Sequence, residues 1–183
     1  LVLFASGFAG AALEVVLLMT FQVLCGSVYH QVGVIVTLFM AGLAVGAFVI
    51  NRRMPRAGKT SLVLLAFAIA AYALLLPLLL PMLNRMGGTA ASLFVVKTVI
   101  GVLTLILATL AGMQFPLANR LEFDGGVSGA SRLYTADFVG AFLGALLAST
   151  LLIPMIGVAG VCLLTAALNL LGGVMMQFRK AAT

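Results

Sequence analysis

Three ionisable residues, Glu14, Lys97 and Asp137, each interrupt an apolar run of the sequence that holds no other charge. Each run is long enough to cross the hydrocarbon core of a bilayer as a helix. A charge at the bilayer centre costs about 3 kcal/mol on insertion scales, so such residues usually face protein and often carry a function. Two acids and one base are side chains that can bind a small cation or relay a proton. We therefore predict a solute or ion pathway that contains these three residues.

Small residues share a helical face with each of these side chains, because residues three, four or seven positions apart lie on one side of a helix. Such faces let a second helix approach closely, so we expect the charged groups to point into a bundle. Plainer alternatives stay open: a structural, hydrogen-bonded carboxyl at Glu14, a lysine that reaches the outer surface at Lys97, and a favourable helix-dipole position at Asp137. The faces are Gly7, Gly10 and Ala11 with Glu14; Gly101, Thr104, Ala108 and Ala111 with Lys97; and Gly140, Gly144 and Ala148 with Asp137.

Two glycine pairs with the spacing GxxxG lie in different apolar runs, where they favour close contact between helix backbones. The glycines predicted to pack against other helices are Gly7, Gly10, Gly42, Gly46, Gly140 and Gly144. The segments 39–50 (FMAGLAVGAFVI) and 137–148 (DFVGAFLGALLA) align without a gap, with both GxxxG pairs in register. An inverted repeat of three plus three helices would explain this alignment, and coincidence between two glycine-rich helices is the alternative.

The composition excludes a water-soluble protein. Of the 183 residues, 64% are hydrophobic and 8% are charged, and the mean hydropathy is +1.29. A soluble domain carries about 25% charged residues. We predict an all-α integral membrane protein, a polytopic helix bundle whose surroundings are the lipid bilayer. The net charge of +6 does not indicate nucleic-acid binding, because the basic residues lie in short segments between apolar runs.

Six membrane-spanning helices are predicted in one membrane domain over residues 1–183. Tyr29 and His30 fall in a short turn over residues 26–31, and residues 116–132 form the longest polar connection. Pro77 and Pro81 predict either a kink in the third span or its end near Leu76. The predicted spans are about 1–25, 32–50, 61–83, 91–115, 133–154 and 158–178.

The basic residues predict the orientation, because cytoplasmic loops carry an excess of lysine and arginine. Eight of the ten basic residues fall on one side of the six-span arrangement, one on the other and one within a span. We predict a bacterial inner-membrane protein with both termini in the cytoplasm. The inner group is Arg52, Arg53, Arg56, Lys59, Arg120, Arg132, Arg179 and Lys180; Arg85 is outside, and Lys97 is within the fourth span.

This orientation predicts an ion pair between Glu14 and Lys97. Glu14 lies eleven residues from the outer end of its run, and Lys97 lies six residues from the outer end of its own. The offset of about five residues corresponds to roughly 7.5 Å along the helix axes. Two long side chains can bridge that distance, and Asp137 is too far along the axis to join them.

Three segments resemble the bacterial spermidine synthase-like membrane proteins, also described as fused major-facilitator/spermidine synthase proteins. They are SGFAGAALEVV at 6–16, SVYHQVGVIVTLFMAGLAVGAFV at 27–49 and RLYTADFVGAFLGALLASTLLIPMIG at 132–157. Asp137 stands where the family pattern has asparagine, which adds a possible charge. The resemblance implies a membrane domain whose aminopropyl-transfer chemistry belongs to a separate soluble domain. This chain would then be either that membrane domain without its catalytic partner or a member that never had one.

The chain contains no motif for catalysis or for a cofactor. It lacks a Ser/His/Asp set, HExxH, CxxC and a phosphate-binding glycine loop. Cys25, Cys162 and His30 have no metal-ligand spacing, so we expect no enzyme activity, no metal and no cofactor. Two functions stay open: a transporter-like module that binds or moves a small cationic solute, and a structural subunit that anchors a partner chain or a soluble spermidine synthase-like domain. Both are compatible with a homo-oligomer or a larger membrane complex.

The orientation can be tested with single cysteines introduced at Ser27, Ala57 and Gly88, after Cys25 and Cys162 have been replaced by alanine. We expect an impermeant thiol reagent to label the cysteines at Ser27 and Gly88 in intact cells, and to spare the one at Ala57. The reason is the excess of basic residues around Ala57. Labelling at Ala57 before the cells are broken would contradict the six-span orientation.

Overall fold

The computed structural model describes residues 2–26, 29–53, 58–85, 90–121 and 126–178. These residues are helical apart from Gly26 and Gly58, and no strand occurs among them. A π-helical turn at Ala148–Leu152 joins the last two helices. The helices are α1 (Val2–Cys25), α2 (Tyr29–Arg53), α3 (Lys59–Arg85), α4 (Ala90–Leu121), α5 (Gly126–Leu147) and α6 (Ile153–Phe178).

The central helix of the bundle is α1, which contacts every other helix. Its sequence is mostly apolar, and close packing of the other helices against it, rather than exclusion from lipid, holds it at the centre. Leu13, Val16 and Leu17 are fully buried in the main hydrophobic core, which the other helices complete. Side chains of α1 are therefore placed between the surrounding helices.

Contacts between glycine and backbone bring α5 directly against α1. A Cβ atom added at Gly140 would overlap the carbonyl oxygen of Phe4, and one added at Gly144 would overlap that of Phe8. The two contacts advance by four residues in both helices, so α1 and α5 run in the same direction. The missing side chains allow the backbones to approach more closely than larger residues would permit.

The same kind of contact joins α2 to α4. A Cβ atom added at Gly46 would overlap the carbonyl oxygen of Thr109, and one added at Gly42 would lie 2.9 Å from that of Leu105. The spacing is again four residues on both helices, so α2 and α4 are also parallel. Gly112 of α4 makes the reciprocal contact, because a Cβ atom added there would overlap the backbone of Leu43 in α2.

The chain reverses direction between α5 and α6. Asn169 of α6 donates a hydrogen bond to the carbonyl of Ala5, and Gly172 packs against Val2, so α6 runs antiparallel to α1. The backbone leaves helical geometry at Gly157, with φ 71° and ψ 174°. That region is accessible essentially to glycine alone, because a Cβ atom would clash there.

Within the described residues, five stretches, rather than the predicted six, are long and apolar enough to cross a membrane. The last is a 50-residue stretch from Gly129 to Phe178, and it contains the two spans that the sequence predicted as separate. The expected turn around Pro154 is helical. Ile153 donates its N–H to the carbonyl of Ala148 in the π-helical turn, and Pro154 follows in the first turn of α6. A wider turn suits the position before a proline, which cannot donate a backbone hydrogen bond.

Two predicted connections are shorter than expected. The polar segment 116–132 was predicted as a loop, but α4 continues to Leu121 and α5 begins at Gly126. Packing explains the extension, because Leu117 and Ala118 are buried in a cluster with Leu3, Ile50 and Leu62 from α1, α2 and α3. The turn predicted at 26–31 is likewise shorter, since α2 already begins at Tyr29.

The alternative end of the third span near Leu76 is wrong. α3 continues through Pro77 and Pro81 to Arg85. Leu76 is fully buried, so packing favours a continued helix at this point. One turn before Leu76, Tyr72 donates a hydrogen bond of 2.9 Å to the carbonyl of Leu103, which fixes α3 against α4.

Gly144→Ala tests the α1–α5 contact, and Gly33→Ala is its matched control. We expect Gly144→Ala to destabilise the folded bundle by about 1–3 kcal/mol, because the new methyl group overlaps the Phe8 carbonyl. Gly33 has no atom within 4 Å of its added Cβ, so Gly33→Ala should be neutral or stabilise α2 by up to about 1 kcal/mol. Thermal unfolding in detergent measures both. Equal melting temperatures for the two variants would contradict the close approach of α5 to α1.

Candidate functional site

Asp137 lies in the contact between α1 and α5, directly against Gly7. Its backbone carbonyl touches Gly7, and a Cβ atom added at Gly7 would lie 2.8 Å from Oδ1 of the carboxylate. The carboxylate therefore occupies space that exists because residue 7 has no side chain. Asp137 is half-buried and faces the central helix.

Glu14 lies on the same face of α1, two turns further along. Gly7, Gly10 and Glu14 share that face by helical spacing, and Glu14 is half-buried. A Cβ atom added at Gly10 would lie 3.7 Å from that of Ala111, so this face is turned toward α4. Seven residues separate Gly7 from Glu14, so the backbone position that Asp137 contacts lies about 10 Å from that of Glu14 along α1.

Lys97 lies at the other end of the α1–α4 contact. It is within electrostatic range of the Cys25 thiol at the end of α1. Because α1 and α4 are antiparallel, Glu14 is eleven residues from that level, or about 16 Å along the axis. The predicted pairing of Glu14 with Lys97 is wrong, and no ion pair joins these two described residues.

The prediction of this ion pair was wrong because the C-terminal end of α1 and the N-terminal end of α4 do not lie at the same level. α4 begins at Ala90, and Lys97 precedes Ala111, which lies against Gly10, by fourteen residues. In antiparallel helices this places Lys97 near the level of Cys25, the last residue of α1. The N-terminal end of α4 therefore extends about two turns beyond α1. The structure brings Glu14 and Asp137 to one face of α1 and places Lys97 outside that group.

Gln114 is a buried polar residue that the sequence analysis missed. Its side chain is 1% exposed, and neither Oε1 nor Nε2 has a hydrogen-bond partner in the described part of the chain. It lies one turn from Ala111 on the same face of α4, which places it near the level of Gly7 and Asp137. The face that runs from Lys97 through Ala111 leads to Gln114, and that spacing could have identified it.

Two other buried polar side chains have structural roles. Asn169 donates hydrogen bonds to the carbonyl of Thr165 at 3.0 Å and to that of Ala5 at 3.4 Å. Tyr72 is bonded to Leu103, as described above. Because their donor groups are bonded to backbone carbonyls, these residues tie helices together and leave little capacity for a ligand. Gln114 differs from both in this respect.

An apolar cavity lies at the opposite end of the bundle from Asp137. It has a volume of about 460 Å³ and is formed by the C-terminal ends of α1 and α3 with the start of α6. Met19, Pro77, Pro81 and Val158 are among the residues that line it. Neither Glu14 nor Asp137 lines this cavity, and none of its described lining residues is charged.

Within the described residues, no group of three or more His, Cys, Asp or Glu side chains is placed to hold a metal ion. The polar groups that the structure does bring together are two carboxylates and one amide. Such groups accept hydrogen bonds from ammonium groups. The arrangement is suited to binding.

A curated protein from Aquifex aeolicus (strain VF5), named Polyamine aminopropyltransferase 2, is 28% identical to this chain over 179 residues. The similarity covers 96% of this chain and 35% of that protein, so the chain spans about a third of its relative's length. No family model matches the sequence, and no solved structure matches it. The chain is thus distantly similar to a spermidine synthase-like protein, and a fused major-facilitator architecture stays a prediction.

Because Glu14 and Lys97 are far apart in the structure, their substitutions should affect the melting temperature independently. Residues that are not in contact usually contribute additively to stability. We expect the changes in melting temperature of Glu14→Gln and Lys97→Met to add in the double variant, measured in the same detergent. Recovery of stability in the double variant would show that the two side chains are paired after all.

Proposed function

We propose that this chain is a membrane module that binds a small organic cation between α1, α4 and α5. The observation that carries the proposal is the pair of carboxylates, Glu14 and Asp137, on one face of the central helix. Neither forms an ion pair with any residue of the described ranges. A buried charge requires a partner of opposite charge or neutralisation by a proton, because desolvation costs several kcal/mol.

The distribution of charge supports a cation as the missing partner. The chain carries a net charge of +6, yet neither acid inside the bundle forms an ion pair with a basic residue of the described ranges. Lys97 is the one basic residue placed within a predicted span, and it lies about 16 Å from Glu14 along the axis. The interior of the bundle is therefore acidic where the rest of the protein is basic.

The named relative supports an aliphatic amine as the cation. Its name refers to polyamines, which are linear aliphatic amines that carry several positive charges at neutral pH. Glutamate, aspartate and glutamine side chains offer oxygen acceptors for such ammonium groups. We propose that the bound cation belongs to this class, and that the module holds it or moves it across the membrane.

We also propose that the bundle crosses the membrane six times as two inverted repeats of three helices. The 50-residue stretch would be about 75 Å long as one straight helix, against a hydrocarbon core of about 30 Å, and it reverses at Gly157. The contact of Gly42 and Gly46 with α4 has the same spacing as the contact of Gly140 and Gly144 with α1. These parallels support a relation of α1–α3 to α4–α6.

A second candidate function is a membrane anchor for an aminopropyltransferase domain. The observation that favours it is the coverage, since the chain is similar to only 35% of a protein named as such a transferase. An anchor requires the helix contacts but not the unpaired carboxylates. Loss of both acidic groups would then leave stability and partner binding unchanged.

Binding of radiolabelled spermidine to the purified protein in lipid nanodiscs tests the proposal. We expect Glu14→Gln and Asp137→Asn each to reduce affinity about tenfold or more, because each removes one charged contact. Glu122→Gln is the matched control, since it removes an equal charge from the polar segment between the fourth and fifth predicted spans. Unchanged affinity in both interior variants would contradict the proposed site and favour the anchor.

A further inference from the structure

We infer that the site selects linear cations with two ammonium groups about 10 Å apart, one at Asp137 and one at Glu14. This inference rests on the proposed function and adds to it a rule for ligand length. Three features of the α1 face support it: the spacing of the two carboxylates, an unpartnered amide near one of them, and a partly open apolar surface between them.

The spacing follows from the rigidity of α1. Asp137 lies against Gly7, and Glu14 is seven residues further along the same helix. An α-helix rises 1.5 Å per residue, so the two binding positions are held about 10 Å apart. Because every other helix packs against α1, the fold fixes the backbone positions of Gly7 and Glu14. A ligand therefore has to match it.

Gln114 marks the Asp137 end as a binding position. The amide is buried, and neither its oxygen nor its nitrogen has a partner in the described chain. An unsatisfied buried polar group costs about 1–3 kcal/mol, so such a group indicates a bound water, ion or ligand. An ammonium group beside Asp137 would donate one hydrogen bond to the carboxylate and another to Oε1 of Gln114.

The surface between the two acids suits a hydrocarbon spacer. Gly10 and Ala11 lie between Gly7 and Glu14 on α1. Gly10 is covered by Ala111 of α4, but Ala11 is only half-buried and carries no bulky side chain. A methylene chain can lie along this surface while its ends reach the carboxylates. A cation with one ammonium group would leave one carboxylate without a partner.

A series of terminal diamines from diaminopropane to diaminododecane tests the length rule, with the monoamine of equal carbon number as control for each. Affinity is measured by competition with radiolabelled spermidine on the full protein in nanodiscs. We expect diamines shorter than about 10 Å to bind no better than their monoamines. At and above that length, we expect the diamine to bind about tenfold more tightly than its monoamine.

Variants test which side chains cause the tighter binding of long diamines. In Glu14→Gln the advantage of long diamines over monoamines should disappear, because only the Asp137 position remains. Gln114→Leu should raise the melting temperature, since it removes an unsatisfied buried amide, and should weaken every amine in the series. A structural role for Gln114 would instead lower the melting temperature and leave the affinities unchanged.

The outcomes separate the length rule from the proposed function. If amines bind and depend on Asp137, but diamines of all lengths match their monoamines, the length rule is overturned and the cation site stands. If no amine binds the wild-type protein at all, both are overturned. A step in affinity that persists in Glu14→Gln would also overturn the rule, because another group must then hold the second ammonium.

Discussion

The fold depends on two places where helix backbones meet without side chains between them. In a bilayer, apolar side chains gain little by leaving lipid for protein, so close van der Waals packing has to hold helices together. Gly140 and Gly144 supply this contact for α5 on α1, and Gly42 and Gly46 supply it for α2 on α4. α3 and α6 then pack against the pairs, with side-chain hydrogen bonds to backbone carbonyls at their contacts.

The helical class and the positions of most helices could be predicted from the sequence, because long uncharged runs leave few alternatives in lipid. Helix ends were harder to predict. Leu117 and Ala118 extend α4 into a polar segment because they are buried by other helices, and that burial is a property of the assembled bundle. Glycine spacing indicated faces for packing, but it could not identify which helix each face would meet.

Only part of the candidate site could be predicted from the sequence. Glu14 and Asp137 stand out as charges in apolar sequence, whereas Gln114 is uncharged and lies near the end of its run. Helical spacing places Gln114 on the same face of α4 as Ala111, but its burial without a partner is a property of the folded bundle. Lys97 was wrongly placed beside Glu14 because depth was counted from the ends of apolar runs, and α4 extends beyond α1.

The unequal lengths of α1 and α4 have a consequence for how the protein sits in lipid. α4 has 32 residues and would measure about 48 Å along its axis, whereas α1 has 24 and would measure about 36 Å. A helix much longer than the hydrocarbon core tilts to hide its apolar surface, at a small cost per ångström of mismatch. Because the glycine contact fastens α2 to α4, a change in tilt carries both helices together. Bilayer thickness thereby acts on the angle between this pair and the central helix.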